Sequence, residues 1–310
     1  MLLTLLKNQI TGIINLSIPL LVIAYFYPWL FGNCYSILAI SLAMGFYVLY
    51  LNYKMARNQV KGLLYKPSGQ IKEKIEKIII DCGLDPASFE LRYAFSHEMI
   101  GSATFNTIVI DPLVWSIIEE DPEAIKVKQI LEAQLVPGFS ELQKKRYAAI
   151  KEVFSPYAQQ FIFKHELAHV AHNFSRKKLV IVGCIGALTA LTGICTANLF
   201  LPLIGSFAII VALIVAGLSD IVMSYTLNIV FKVRAEYNAD IFAAQASTIQ
   251  EIEAAAEFFE KHYSILRENQ EQTILAKLPS EILSGHPNAK NRVSYLRNLA
   301  YNKSYHNHQG

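Results

Sequence analysis

Hydrophobic positions along the chain fall into two long blocks, separated by segments with a mixed polar and apolar pattern. The first block covers residues 10–52 and the second covers residues 179–232. Each block is long enough for two helices, since about 20 apolar residues span the hydrocarbon core of a bilayer. The pattern therefore predicts a mostly helical membrane protein with about four transmembrane helices.

The first block is typical of a helical hairpin. Residues 11–31 are uncharged, and residues 34–52 form a second apolar run after a very short turn. A cleaved signal peptide is the alternative for the first run, but Tyr25, Tyr27 and Trp29 do not resemble a small-residue cleavage site. Aromatic residues near the ends of the runs match the interfacial anchors of membrane helices.

The second block is harder to divide into helices. Residues 179–198 predict one span, and the apolar run that follows, residues 199–231, contains Asp220 near its middle. Either the fourth helix is long and tilted, with Asp220 inside the membrane, or the helix leaves the bilayer near Asp220. A carboxylate inside the bilayer is expensive and requires a polar partner or a wet cavity.

Positive charges flank both blocks. Lys7 precedes the first block and Lys54 follows it, while Arg176 precedes the second and Lys232 follows it. Basic residues concentrate on the cytoplasmic side of membrane proteins, so both hairpins return the chain to the cytoplasm. The predicted organisation is an N-terminal transmembrane hairpin at 11–52, a cytosolic region at 53–178, a second transmembrane pair at 179–232 and a cytosolic C-terminal region at 233–310.

The first cytosolic region has the pattern of a mixed α and β domain. Residues 71–85 have helical periodicity, with Gly83 as a stop signal. Residues 89–95 and 102–110 predict two strands around a loop that contains Gly101. Further helices are predicted at residues 122–135 and 140–154, and Pro156 opens the next helix.

Composition agrees with a membrane protein and narrows the possible partners. Hydrophobic residues make up 53% of the 310 residues, and the mean hydropathy is +0.31. The net charge of +3 is small, and the basic residues are distributed without an aromatic-interleaved block, so nucleic-acid binding is not predicted. None of the four cysteines forms a CxxC pair, which argues against a cysteine zinc site.

The strongest chemical signal is the sequence HELAH on the helix that Pro156 opens. His165 and His169 lie at positions i and i+4 of a helix, so both imidazoles can face one metal ion. Glu166 can reach a water molecule that such a metal activates. Zinc hydrolysis requires neutral nitrogen ligands, an open coordination position and a nearby base. Because the motif also arises by chance, a third ligand is needed.

Two known solutions for the third ligand can be compared with the chain. The metzincin pattern requires glycine at position 172 and histidine at position 175, and it is excluded by His172 and Ser175. The other common solution is a glutamate on a later helix, where RAEYNAD offers Glu236 and Asp240 at i and i+4. Glu236 can complete a His₂Glu zinc site, and Asp240 can fix the tautomer of a ligand histidine. Two charges on an exposed helix face are the alternative interpretation.

HELAH, then EYNAD after two spans, then HPNAKNRVSYLR at residues 286–297 resemble the M48 metallopeptidases in sequence and order. The topology is most similar to the HtpX-like membrane proteases. The resemblance implies a gluzincin-type α+β protease domain with one zinc ion per chain. It also implies a set of site residues: the ligands His165, His169 and Glu236, the base Glu166, the supporting residues Asp240 and Arg292, and His286 either as an oxyanion stabiliser or as the start of a helix.

The resemblance further implies a function. It predicts a zinc endopeptidase that cleaves membrane or misfolded proteins at the cytoplasmic face of a bacterial inner membrane, in protein quality control. Residues 102–110 fit the strand on which the family holds substrate as an added strand. Three alternatives stay open: a prenyl-CaaX-type protease, an M56 sensor-type protease and an inactive membrane scaffold. The chain departs from the family pattern in its long segment at 113–160 and in the approach YAQQFIFK to the motif.

Overall fold

The chain folds mainly into helices, with one three-stranded sheet among the described residues. A computed structural model describes residues 33–61, 65–94, 101–134, 141–205, 207–268 and 289–307. The helices are α1 (Cys34–Lys61), α2 (Gly69–Asp81), α3 (Pro122–Gln134), α4 (Glu141–Val153), α5 (Pro156–Ala171), α6 (Phe174–Ile204), α7 (Phe207–Gln245), α8 (Ile249–Glu268) and α9 (Ala289–Asn307). The strands are β1 (Glu90–Tyr93), β2 (Gly101–Thr104) and β3 (Thr107–Ile110). Two compact units divide the chain, Met1–Arg57 with Arg176–Val230 and Asn58–Ser175 with Phe231–Gly310.

Within the described ranges, three helices are long and apolar enough to cross a membrane: α1, α6 and α7. Large apolar side chains such as Phe46, Leu199 and Leu218 are exposed along them, as lipid-facing side chains are. These helices support a membrane protein. The remaining predicted span, residues 11–31, lies outside the described residues, so the count of four stays a prediction.

Small residues bring the helices of the first unit close together. A Cβ atom added at Gly45 of α1 would lie 2.7 Å from the carbonyl oxygen of Gly183 and 2.8 Å from Cβ of Ala187, both on α6. A Cβ atom added at Gly193 of α6 would likewise lie 3.2 Å from Cβ of Ala216 on α7. Close backbone approach of this kind is a main source of attraction between helices in lipid, where the hydrophobic effect is absent.

Asp220 lies within an unbroken helix and has a polar partner. The helical rise places it about 20 Å from Phe207, the first residue of α7. The hydroxyl of Thr189 on α6 donates a hydrogen bond to Asp220 Oδ1 at 3.2 Å. This contact is what a membrane-embedded carboxyl group requires, and the depth of Asp220 in the bilayer stays a prediction.

Helices α1 and α6 each extend at one end beyond the predicted apolar limits. Helix α1 continues to Lys61 rather than ending near residue 52, because the segment after it consists mainly of residues that helices tolerate well. Helix α6 begins at Phe174, several residues before the apolar run. The polar residues that flank these apolar runs therefore belong to the same helices as the predicted spans.

The sheet of the second unit has the order β1-β3-β2, with β1 parallel and β2 antiparallel to the central strand β3. The prediction of a single strand over residues 102–110 is wrong. Thr104 pairs with Thr107 and closes a two-residue turn at Phe105 and Asn106, where Phe105 adopts a φ of 54°. Two-residue hairpins require such positive φ values. Because Phe105 is apolar, residues 102–110 keep the alternating pattern of a single strand, and the pattern does not indicate the turn.

Helix α5 lies at the centre of the second unit. It begins at Pro156, as predicted, and the Ser155 hydroxyl accepts a hydrogen bond from the Ala158 amide at 3.3 Å. The helix packs along α8 and against the sheet. The buried Gln159 side chain accepts from the Ile117 amide at 2.9 Å and donates to the Phe154 carbonyl at 2.8 Å. The described parts of the long segment at 113–160 therefore contribute to the core around α5.

Candidate metal centre

The two histidines of HELAH meet on the buried face of α5. His165 is 4% exposed and His169 is 8% exposed. Their Nε2 atoms are 3.1 Å apart, with the ring planes at 89° to each other. The one-turn spacing on a helix produces this arrangement, since residues i and i+4 lie one above the other.

Glu236 of α7 completes the cluster. Its Oε2 atom lies 3.4 Å from Nε2 of His165, and its Oε1 atom lies 3.3 Å from Nε2 of His169. The side chain is as buried as the histidines. Within the described part of the chain, these three residues are the group whose ligand atoms converge closely enough for a metal ion, all within 4.8 Å of one another.

The donor set fits zinc. Three potential ligand atoms point at one another in a buried volume, an arrangement that is unfavourable unless a proton or a metal cation lies among them. In a tetrahedral site with bonds of about 2.0–2.1 Å, neighbouring ligand atoms are about 3.3–3.4 Å apart. The separations given above are close to that value. Two histidines and a carboxylate are also the ligand set that leaves a catalytic zinc one open position.

Asp240 and Arg292 hold the first candidate ligand, His165, in position through its Nδ1 side. Nδ1 of His165 donates to Oδ1 of Asp240 at 2.9 Å, which leaves Nε2 free to bind a metal. Arg292 of α9 donates to the same carboxylate through Nε at 2.8 Å and Nη2 at 2.7 Å. Its guanidinium lies 3.8 Å from the centre of the Phe259 ring. Asp240 therefore connects α5, α7 and α9.

Charges in this cluster shift one another's pKa values. Burial alone raises the pKa of Asp240, but Arg292 and His165 outweigh it and hold that pKa below its usual value. Burial and Arg292 lower the pKa of His165, but hydrogen bonds to Asp240 and Glu236 outweigh them and raise it to about 9. Because this pKa is raised, a metal ion and a proton compete for His165.

The structure brings together most of the residues predicted for the site. His165, His169 and Glu236 converge, and Asp240 and Arg292 support them. Glu166 follows the first ligand on α5 and is half-buried. The predicted His286 lies outside the described residues. Sequence reasoning missed Phe259, whose only signal was its place on the apolar face of α8.

A buried pair of histidines with a carboxylate, and a glutamate next to the first histidine, is typical of the zinc metallopeptidases as a class. A family model described as Peptidase family M48 matches residues 147–300. The match covers HELAH, Glu236 and Arg292 and supports the M48 family, whose peptidases are generally metal-dependent. No curated protein and no solved structure matches the chain.

Proposed function

We propose that the protein is a membrane-embedded zinc endopeptidase that hydrolyses peptide bonds of membrane or misfolded proteins at the cytoplasmic face. The observation that carries this proposal is the convergence of His165, His169 and Glu236 beside Glu166. The M48 match over residues 147–300 supports peptidase chemistry, and the three apolar helices support a lipid environment.

The roles of the residues follow from their positions. His165, His169 and Glu236 would hold the zinc ion, which would supply a Lewis acid for the scissile carbonyl and a bound water with a pKa of about 7. The Glu166 carboxylate accepts the proton of the attacking water and then donates it to the leaving amine nitrogen. Asp240 accepts from Nδ1 of His165 and keeps Nε2 directed at the metal side. For His286 the two predicted roles stay open, oxyanion stabiliser or start of a helix.

The edge strand β2 is the proposed substrate-binding strand. In the described sheet, β2 pairs with β3 on one side only. Helix α5, which carries HELAH, packs against both strands. An extended peptide that pairs with the free edge of β2 gains backbone hydrogen bonds and lies beside the motif helix. This geometry suits an endopeptidase acting on unfolded or locally extended segments.

The cellular setting is proposed from charge and resemblance. Lys54 and Arg57 follow the first apolar block, and Arg176 precedes the second, which favours a cytoplasmic active site in a multi-pass protein. An HtpX-like quality-control protease of a bacterial inner membrane fits this arrangement. Its partners are protein or peptide substrates and the bilayer.

The test compares the detergent-purified full chain with its Glu166→Gln variant. Cleavage of an unfolded model protein and self-cleavage are followed with added zinc, and bound zinc is measured by elemental analysis. We expect the wild type to cleave and the variant to bind zinc without cleaving. Glu253→Gln, an exposed change on α8, is the control that keeps activity.

Two results would contradict the proposal. Equal cleavage by wild type and Glu166→Gln would exclude Glu166 as the base. A wild type that binds no zinc would exclude the metal centre. Zinc binding without cleavage by either protein would instead favour a narrow-specificity protease or an inactive scaffold.

A further inference from the structure

A buried lysine precedes the first candidate ligand. Lys164 is 6% exposed although it carries a charge. Its Nζ atom donates to Oε2 of Glu251 at 2.8 Å and to the carbonyl oxygen of Ala246 at 2.9 Å. Both partners lie at the junction between α7 and α8, far from Lys164 in sequence. The amine therefore joins the motif helix α5 to the end of the helix that carries Glu236.

Glu251 is fixed in place by a second set of contacts. It lies in the first turn of α8, where its Oε2 atom accepts from the Thr248 amide at 2.7 Å. The Thr248 hydroxyl in turn accepts from the Glu251 amide at 3.2 Å. This reciprocal pair is a capping box, which satisfies two of the amides that a helix start leaves unpaired. The carboxylate is thus a rigid partner for Lys164.

The carbonyl side of the junction is fixed as well. Carbonyl groups at the end of a helix have no partner within the helix. Lys164 from α5 takes one of them, and Lys303 from α9 donates to the carbonyls of Ala244 and Gln245, each at 3.0 Å. Amines from two helices therefore hold the end of α7 in one position.

The amine does not belong to the metal centre itself. Adjacent residues on a helix point about 100° apart, and the contacts of Lys164 are to Glu251 and Ala246, whereas His165 contacts Glu236 and Asp240. Burying an ion pair contributes little net stability compared with apolar packing. What the pair adds is a directional contact between α5 and the end of α7.

We propose that Lys164 is a positioning residue for the metal centre. Through Glu251 and Ala246 it sets the register of α5, which carries His165 and His169, against α7, which carries Glu236. The ligand atoms on these two helices must converge within a few tenths of an ångström for tight metal binding. The inference rests on the proposed zinc peptidase function and adds a residue that the HExxH pattern does not contain.

The experiment measures zinc affinity and kinetics on the detergent-purified full chain carrying Lys164→Met. Zinc affinity is measured by competition with a chromophoric chelator. We expect zinc to bind about tenfold more weakly, the range seen when groups that orient metal ligands are removed. We also expect kcat to fall with little change in KM, because β2 and the substrate contacts are untouched.

A stability-matched variant separates positioning from general destabilisation. Ile150→Ala removes a buried side chain of α4, a helix that supplies none of the hydrogen bonds described at the junction, and lowers the melting temperature by cavity formation. We expect Ile150→Ala to keep wild-type zinc affinity at an equal or larger loss of melting temperature. Lys164→Arg keeps the charge and donors, and we expect it to recover part of the affinity that Lys164→Met loses.

Glu251→Gln keeps the proposal falsifiable if Lys164→Met does not fold. Glutamine retains the capping box but removes the ion pair, so weaker zinc binding by folded Glu251→Gln is expected. Wild-type zinc affinity in either folded variant, or a loss no greater than that of Ile150→Ala at the same melting temperature, would overturn the proposal. A wild type that binds no zinc would refute the proposed function instead, which distinguishes the two failures.

Discussion

Arg292→Met is the most informative perturbation of the supporting contacts. The variant removes two hydrogen bonds to Asp240, at 2.8 and 2.7 Å, and the stacking of the guanidinium on Phe259 at 3.8 Å. It leaves a fully buried carboxylate without its cation. Breaking a buried ion pair by removing one partner costs about 3–5 kcal/mol, mainly because the remaining charge is uncompensated. For a chain of this size that corresponds to a melting temperature about 10 °C lower.

The assay follows thermal unfolding in detergent by intrinsic fluorescence, for zinc-loaded and chelator-treated protein. We expect the loss in Arg292→Met to be larger without zinc, because the metal ion offsets the excess negative charge of Glu236 and Asp240. The double variant with Asp240→Asn removes the unpaired charge, so its loss should be smaller than the sum of the two single losses.

Two outcomes would refute this reasoning. A melting temperature of Arg292→Met within about 2 °C of the wild type would mean that the ion pair is not buried as described. Additive losses in the double variant would mean that Arg292 and Asp240 do not interact. Arg297→Met, which breaks the exposed contact with Glu260 at 2.6 Å, is the control and should change stability by less than about 1 kcal/mol.

Two further predictions concern other parts of the chain. Tyr93→Phe removes the hydrogen bond that the hydroxyl donates to Asp121 at 2.6 Å and should cost about 1.5–3 kcal/mol in unfolding measurements at pH 7. Burial raises the pKa of Asp121, but its hydrogen bonds with Tyr93 and Ser68 outweigh this effect and lower that pKa. The difference in unfolding free energy between wild type and variant should therefore be complete above about pH 4. It should shrink as the pH falls through the pKa of Asp121 in the folded protein. A constant difference down to pH 2 would contradict this. Gly45→Ala should lower the melting temperature because the added Cβ atom would overlap α6. Gly69→Ala is the control and should not, because its added Cβ atom would have nothing within 4 Å. Equal effects of the two substitutions would exclude close packing of α1 against α6.

The sequence could predict those parts of the site that depend on local geometry. The i and i+4 spacing alone places His165 above His169, and it places Glu236 one turn from Asp240. The meeting of these two pairs is not local, since the bond from His165 to Asp240 spans 75 positions. The prediction that α5 and α7 meet came from the order of motifs, which resembles that of the M48 enzymes. The prediction of Arg292 as a supporting residue came from the same resemblance.

The turn at Phe105 and the burial of Lys164 could not be predicted, because the hydrophobic pattern indicates a strand at the first and an exposed side chain at the second. Phe105 continues an alternating strand pattern, so its left-handed φ of 54° is invisible to periodicity. Lys164 follows an apolar run, where a lysine ordinarily reaches solvent. Its partner Glu251 is 87 positions away, and the T-x-x-E spacing from Thr248 indicates only the start of a helix.

The charge balance of the buried cluster favours a bound cation. Within the buried cluster around the two histidines, Glu236 and Asp240 are negative and Arg292 is positive, which leaves one net negative charge when both histidines are neutral. A buried excess charge is costly, so the cluster gains a proton at His165, whose pKa is raised to about 9. A divalent metal ion that replaces this proton would supply positive charge at the same place and contact three ligands at once. Without Arg292 the two carboxylates would leave two negative charges, so Arg292 halves the charge that a proton or a metal ion has to offset.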